Sequence, residues 1–474
     1  MLKKVLKDTS IYSIAKVLPQ LTSFLLIPIY TSYLSVEDYG IVGAMQVLSV
    51  LFLIVLTFSL DRSIFRLFFD YEDDKKQKEF LGTLSIGIFF TSTVLLIFIF
   101  LIKNYVEMIY SNIDFHPYYS YTILYTYFMV FSLVPKAYLQ VTQKPAKFVA
   151  LSLLEFFLTT ALILFFVIYK KEGASGYLKS PMLSYLLILP IYLYITYRII
   201  YLKFNFKIFK DSFIFSLPMI PGFFAAWLLN QSDRVFIERF SDIYDVGLYT
   251  LAYKFSGISL ILSGAFVAAY SPIFFKLANS KEQKDSIKVL TASNNVYFIS
   301  IILLFFFIIL FSEELIYFMA DEKYFDSHTL IPILAFGFLI SQMQGLHNLM
   351  IYQNKKVKEM VTIGVIGGFC NIPLNFIFIQ EYGSFGAAYA TLVSFFIMYL
   401  MALYYSKKCY YITPNWKIIF TLLFLLISLF FLISFITADF KMIASLIFKI
   451  IFTIVIIIVF LYFFRKKLST IFLN

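Results

Sequence analysis

Apolar residues in this chain come in long unbroken runs, without the polar positions every second or every third to fourth residue that a water-facing strand or helix would need. Leu84–Ile102, Ile299–Phe311, Ile418–Ile436 and Ile443–Phe464 carry few or no charges. Such runs are on the order of the ~20 residues a helix needs to cross hydrocarbon. Taking every run with its polar flanks predicts about fourteen transmembrane helices, at roughly 11–34, 41–60, 81–102, 118–139, 148–169, 181–201, 212–232, 248–272, 290–311, 329–351, 359–380, 384–405, 417–437 and 441–464. The fold class is therefore an all-α polytopic membrane protein.

The polar flanks orient these spans. Of 39 lysines and arginines, 28 fall in alternate segments beginning with the N-terminus and only 8 in the segments between them. The positive-inside rule makes the rich segments cytoplasmic. Both termini then face the cytoplasm, and an odd number of spans would place Arg465, Lys466 and Lys467 on the wrong side. The same alternation argues against a nucleic-acid partner for the net charge of +11, because the cations follow the loops and form no single patch. A composition that is 61% hydrophobic and 14% charged agrees that water is not the main solvent. Lys3, Lys4 and Lys7 precede an apolar segment with no small-residue cleavage site, which predicts a retained first span. Cys370 and Cys409 make no disulfide framework, and His116, His328 and His347 lie too far apart for a metal site.

The chain also repeats. Gln143-Lys144 and Gly173-x-x-Gly176 have counterparts in Gln353-Asn354-Lys355 and Gly383-x-x-Gly386, both 210 residues on. Leu18-Pro19 faces Leu217-Pro218, Ser35 to Gly40 faces Asp242 to Gly247, and Arg66 to Phe69 faces Pro272 to Phe275, at offsets of 199, 207 and 206. An advance of six spans leaves both halves in the same orientation, related by an axis along the membrane normal. This predicts an N-lobe over 1–205 (spans 1–6), a C-lobe over 206–405 (spans 7–12) and two further helices over 406–474. Pro19 and Pro28 interrupt the first span, and Pro218 and Pro221 interrupt its counterpart. Each removes a helical donor, so these four are candidate hinges, although membrane helices also tolerate proline.

Ionised side chains at bilayer depth cost roughly 2.5–3.5 kcal/mol and usually face a wet, functional cavity. Lys16 lies nine residues past Lys7, about 14 Å deeper. Arg62 and Arg66 share a helical face and close the second span, and Lys254 sits seven residues into the eighth with no acid within one turn. Asp233-Arg234 ends the seventh span as an internal pair or with Arg234 turned to the cavity. Glu155 lies deep in the fifth span, where a satisfied structural carboxylate is the alternative to a coupling role. Arg62 and Arg66 could equally anchor lipid phosphates, and Lys449, in the extra pair, reads as a snorkelling lysine. Glu313, Glu314, Asp321, Glu322 and Asp326 make an acidic patch with the look of a solvated face. Deep cations outnumber deep acids, which predicts a positive cavity for an anionic cargo such as a diphosphate.

Phe24 to Gly40 (FLLIPIYTSYLSVEDYG), Asp233-Arg234 followed by Val246-Gly247-Leu248-Tyr249, and Tyr382-Gly383-x-x-Gly386-Ala387-Ala388 resemble the Wzx-type polysaccharide and O-antigen flippases of the multidrug/oligosaccharidyl-lipid/polysaccharide (MOP) exporter superfamily. The resemblance runs over roughly residues 8–405. It implies a MATE-like fold of two lobes with a cationic lumen in the bacterial cytoplasmic (inner) membrane. It further implies alternating-access transport of undecaprenyl-diphosphate-linked oligosaccharide for O-antigen or capsule, with H+ or Na+ as coupling ion and no other cofactor. The expected partners are the lipid-linked substrate, membrane lipids, and the polymerase and other assembly proteins of polysaccharide synthesis, with the chain working as a monomer. Of the family's residues only Asp233-Arg234 carries over; Lys16, Arg62, Arg66 and Lys254 rest on depth.

Two rivals remain at this point. A cation-coupled multidrug exporter of the same superfamily calls for an acidic cavity, and deep acids are few here. A membrane polymerase or glycosyltransferase calls for a sizeable outer loop carrying catalytic acids or bases. The longest outer loops, about 103–117 and 312–328, are short, so the chain is not expected to be an enzyme.

Overall fold

The computed structural model describes residues 17–280, 283–410 and 412–456. Lys16, the candidate argued most strongly from depth, lies outside the described residues, as do the terminal cations Lys3, Lys4, Lys7, Arg465, Lys466 and Lys467. The described residues are helical throughout, with no strand. In chain order the helices are α1 (17–25), α2 Ile27–Tyr33, α3 Val36–Thr57, α4 Asp61–Leu67, α5 Asp74–Leu101, α6 Lys103–Glu107, α7 Ser120–Val141, α8 Pro145–Ile163, α9 Gly173–Ile199 and α10 Phe206–Ser216. They continue as α11 Ile220–Gln231, α12 Asp233–Phe240, α13 Ile243–Ser256, α14 Ile258–Ala278, α15 Gln283–Leu310, α16 Ser312–Met319, α17 Ile331–Gln353, α18 Val357–Lys407, α19 Trp416–Thr437 and α20 Met442–Ile456.

Eleven helical segments among the described residues are long and apolar enough to cross a bilayer. One of them, α18, has 51 residues, about twice what a crossing requires. Gly383, at φ 54° and ψ −135°, breaks it at the point where the sequence separates its eleventh and twelfth spans. The first and last expected spans both run into residues outside the described set, so fourteen stands as the expectation.

Local signals explain where helices begin and end. Ser35 caps α3 and exchanges hydrogen bonds with Asp38, a capping box that occupies two otherwise unpaired amides. Asp73 and Asn205 cap α5 and α10 in the simpler way. The prolines act as expected on the backbone: Pro28 sits at the start of α2 beyond a break at Leu26, and Pro218 and Pro221 sit in the 3-10 turn Leu217–Met219 and at the start of α11. The second span differs from expectation. Phe58 and Ser59 adopt φ 46° and 55°, a left-handed pair that stops α3 at Thr57. Arg62 and Arg66 therefore do not close that span; they ride on the separate short helix α4.

The chain packs as two compact units, one within Met1–Thr250 with Ile379–Ser384, the other within Leu251–Phe378 and Phe385–Asn474. The first contains a cluster of Leu60, Ile64, Phe68, Leu84, Val134 and their neighbours, joining α4, α5 and α7. In the second, α15 and α17 are tied by the Tyr297 hydroxyl on the Gln342 carbonyl (3.1 Å), while the Gln342 amide reaches the Ser259 hydroxyl (2.8 Å). Such ties matter where lipid is as apolar as leucine and burial alone drives little association. Phe90, Leu101, Leu187, Phe424 and Phe435 point outward, as side chains in contact with lipid tails would.

Candidate functional site

The repeat read from sequence reappears as geometry in the first unit. Asp38 accepts the Ala174 N–H (3.0 Å) beside Gly173, whose φ is +58°. At the counterpart corner, Asp242 Oδ1 accepts the Asp245 N–H (2.8 Å), and Asp245 faces Gly383, whose φ is +54°. Each corner thus combines a capped helix start, an acid one turn in, and a left-handed glycine opening the partner helix. Only glycine adopts that backbone without penalty.

The two helix starts also touch each other. A Cβ on Gly40 would lie 2.1 Å from the Ile243 carbonyl oxygen, and one on Gly247 would lie 2.2 Å from that of Val36. Ile243 and Gly247 follow Val36 and Gly40 by 207 residues, so the contact is reciprocal, as a two-fold axis requires. Gly43 faces Thr250 at the same offset, with 2.5 Å from its would-be Cβ to the threonine hydroxyl. The charge pattern assigns this end of the helices to the outside.

Asp233 and Arg234 begin α12 just before this crossing, and both are buried, at 0% and 5% exposure. The Tyr249 hydroxyl donates to Asp233 Oδ2 (2.7 Å), the Arg234 guanidinium donates to the Asn230 carbonyl (3.2 Å), and it lies 5.4 Å from the Tyr249 ring centre. Tyr249 and Asn230 thus hold the motif inside the protein. One helical turn on, Glu238 accepts the Asn112 N–H (2.7 Å), and burial pushes its carboxyl above the ordinary glutamate range.

The other candidates are dispersed. Arg62 is half-exposed, 3.3 Å from the Asp61 carboxylate and 5.5 Å from the centre of the Phe223 ring. Burial raises Asp61, with Arg62 opposing. Arg66 pairs with Asp70 on the surface. Lys254 is half-buried on α13 in the second unit and is engaged by its surroundings. Glu155 is buried in α8 and takes donors from Lys136 and Tyr192, with the Tyr185 hydroxyl at 3.3 Å. Lys136 is thus one half of an ion pair with a buried carboxylate.

Lys449 does not snorkel. Its ammonium lies 2.7 Å from Glu314 Oε1 and is 4% exposed, and Ser445 donates to the same oxygen (2.8 Å). Glu314 is likewise 2% exposed, which removes it from the acidic patch expected to face solvent. The partners lie 135 residues apart in sequence, too far for a local pattern to pair them. A buried polar cluster in the second unit was also passed over. The Asn371 amide donates to Ser394 (3.2 Å), and the Asn375 amide donates to Asn371 (2.7 Å). Two asparagines four residues apart in an apolar run were the available signal.

Known proteins place this geometry in context. Residues 5–278 match the family described as polysaccharide biosynthesis protein, and residues 218–377 match the family described as MatE. The Lsg locus putative protein 1 of Haemophilus influenzae is 28% identical over 289 residues, 59% of this chain and 68% of that protein. The capsular polysaccharide biosynthesis protein CapF of Staphylococcus aureus is 24% identical over 261 residues, 53% of this chain and 65% of that one. The chain thus spans about two thirds of the length of each of these relatives. Among solved structures, the lipid II flippase MurJ in an inward closed conformation superposes with a TM-score of 0.76 at 16% identity, covering 96% of this chain and 99% of MurJ. An inward-facing multidrug resistance MATE family transporter of the MOP superfamily gives 0.65 at 14% identity, over 84% and 97%.

Proposed function

The chain belongs to the polysaccharide biosynthesis protein family within the MOP superfamily, a family of membrane flippases and not of enzymes, and from that premise we propose that it carries undecaprenyl-diphosphate-linked oligosaccharide across the bacterial cytoplasmic membrane. The diphosphate is held by Lys16, Arg62 and Lys254, with Arg66 at the approach and the buried Arg234 adding field without contact. Ammonium and guanidinium groups suit phosphate oxygens. The lipid tail stays in the bilayer through a lateral opening while the sugars pass through. H+ or Na+ drives the cycle, with Asp233 and Glu155 as the coupling acids and the prolines at 19, 28, 218 and 221 as hinges.

The reciprocal contact of α3 with α13 is the observation that supports alternating access. Glycine brings the two backbones together with carbonyl oxygens against Cα atoms, contacts that are individually weak. A seal of this kind closes tightly yet parts at small cost, which suits an end that must open once per cycle.

The cargo assignment is tested in a deletion strain complemented with variants. Lys16→Gln combined with Lys254→Gln is expected to abolish surface polysaccharide with unchanged protein in the membrane fraction. Full polysaccharide from that double variant removes both lysines from the mechanism. Unaltered drug susceptibility of the deletion strain is the companion result; a sensitised strain would point to the drug-exporting branch instead.

A further inference from the structure

Away from the corners, a groove of about 490 Å3 opens within the first unit between the end of α7, the start of α8 and the end of α9. Three cations line it, Lys144, Lys147 and Arg198, and no acid does. Two of them are held ready by tyrosines. Lys144 donates to the Tyr138 hydroxyl (3.2 Å) and sits 4.7 Å from its ring centre, while Arg198 Nε donates to the Tyr194 hydroxyl (3.2 Å) with its guanidinium 5.5 Å from that ring. A neutral phenol orients a cation without cancelling its charge. Lys147 has no ion pair among the described residues and is exposed.

Two further features fit an anion here. The groove lies at the N-terminus of the 19-residue helix α8, where Pro145 stands in the first turn and unpaired amides leave a partial positive charge. Leu139 of α7 and aliphatic side chains of α8 and α9 make the remaining walls, and the outward faces of α8 and α9 carry exposed Leu154, Phe157, Leu187 and Leu193. All three cations come from segments that the charge pattern assigns to the cytoplasm. Basic pockets between membrane helices on that side recognise lipid phosphates.

We infer that this groove binds the phosphate of a membrane lipid, with Lys144, Lys147 and Arg198 on the headgroup and the chain lying along the aliphatic walls of α8 and α9. Two lipids carry the required chemistry, a resident anionic phospholipid and a polyprenyl diphosphate, and the site stands whether or not the cargo proposal above holds.

Native mass spectrometry of the purified full-length chain tests this with three probes: phosphatidylglycerol, undecaprenyl diphosphate and phosphatidylethanolamine. At least one of the first two should be retained well above phosphatidylethanolamine, whose ammonium compensates its phosphate. The triple variant Lys144→Gln, Lys147→Gln, Arg198→Gln should lose about a hundredfold in affinity, and the charge-keeping variant Lys144→Arg, Lys147→Arg, Arg198→Lys should keep most of it. Should the neutral triple variant not fold, Tyr138→Phe with Tyr194→Phe supplies the test through a weaker, several-fold loss. Displacement of phosphatidylglycerol by undecaprenyl diphosphate makes the groove a cargo site, and resistance to displacement makes it a resident-lipid site; either outcome upholds it. Equal retention of all three lipids, or wild-type retention by the neutral variant, overturns it.

Discussion

The two corners related by the repeat share a backbone and differ in chemistry. At the first, Ser35 and Asp38 exchange hydrogen bonds and Asp38 also takes the Ala174 N–H, so one carboxylate accepts from two backbone amides within the corner. At the second, an acid, Asp242, replaces the serine and stands one turn from Asp245, while Glu238 reaches out to the Asn112 amide. The same offset of 207 sets Glu238 against Thr31, whose hydroxyl bonds back to the Ile27 carbonyl in its own helix (2.9 Å). The first corner carries Glu37 and Asp38 and reaches Ala174 through Asp38; the second carries Asp242 and Asp245 and is tied to a neighbouring loop through Glu238. What the duplication kept is the glycine and cap geometry that sets how the helices start, leaving the side chains around it free to diverge.

Breaking the shared element should have the largest effect. Gly40→Val and Gly247→Val each drive a side chain into a backbone oxygen that cannot rotate away, at about 1–3 kcal/mol of overpacking. Surface polysaccharide should fall to background with the protein still in the membrane; normal display from either variant would show that this contact does not take part in transport. The element that differs comes next. Asp38→Ala should lower the melting temperature in detergent more than Asp245→Ala, because it removes the carboxylate half of the capping box and a second amide bond, at roughly 1–3 kcal/mol against about 1. Equal shifts would make the corners energetically equivalent.

The smallest effect is on pH dependence. Burial raises Glu238, so the folded protein holds this proton over a range in which the unfolded chain has released it. Its contribution is fully present below the ordinary glutamate value of 4.5 and is lost as pH rises through the higher folded-state value. Glu238→Gln should flatten the stability profile in that window, whereas Thr31→Val at the other corner should leave the profile's shape unchanged. Identical profiles for wild type and Glu238→Gln would remove this difference between the corners.

Much of this was legible beforehand. The all-helical membrane class followed from apolar run length, and the break at Gly383 from the gap between two runs. Pro28 and Pro221 marked real helix starts, since proline's fixed φ and missing donor act on the local backbone whatever surrounds it. The site residues were less legible. Depth along a helix ranked the cations, but depth does not reveal a partner. Lys449 met Glu314, Glu155 met Lys136 across nineteen residues and two helices, and Arg62 left its span because two residues turned left-handed. The groove around Lys144, Lys147 and Arg198 went unread because its cations were counted as topology signals, a role each can have while also binding phosphate.

Sequence by itself determined that this chain lives in a bilayer as helices, and it set the expectations of which way its loops face and that its halves are copies. Those properties depend on sums over many residues, hydrocarbon against water and charge against side, and such sums survive uncertainty about any one position. Only the tertiary structure decided that Gly40 and Gly247 close on each other's helix, that Asp38 and Asp245 each face a left-handed glycine more than 130 residues away, and which deep charges are neutralised. Those are pairings of single atoms a few ångströms apart, and nothing local to either partner encodes the other.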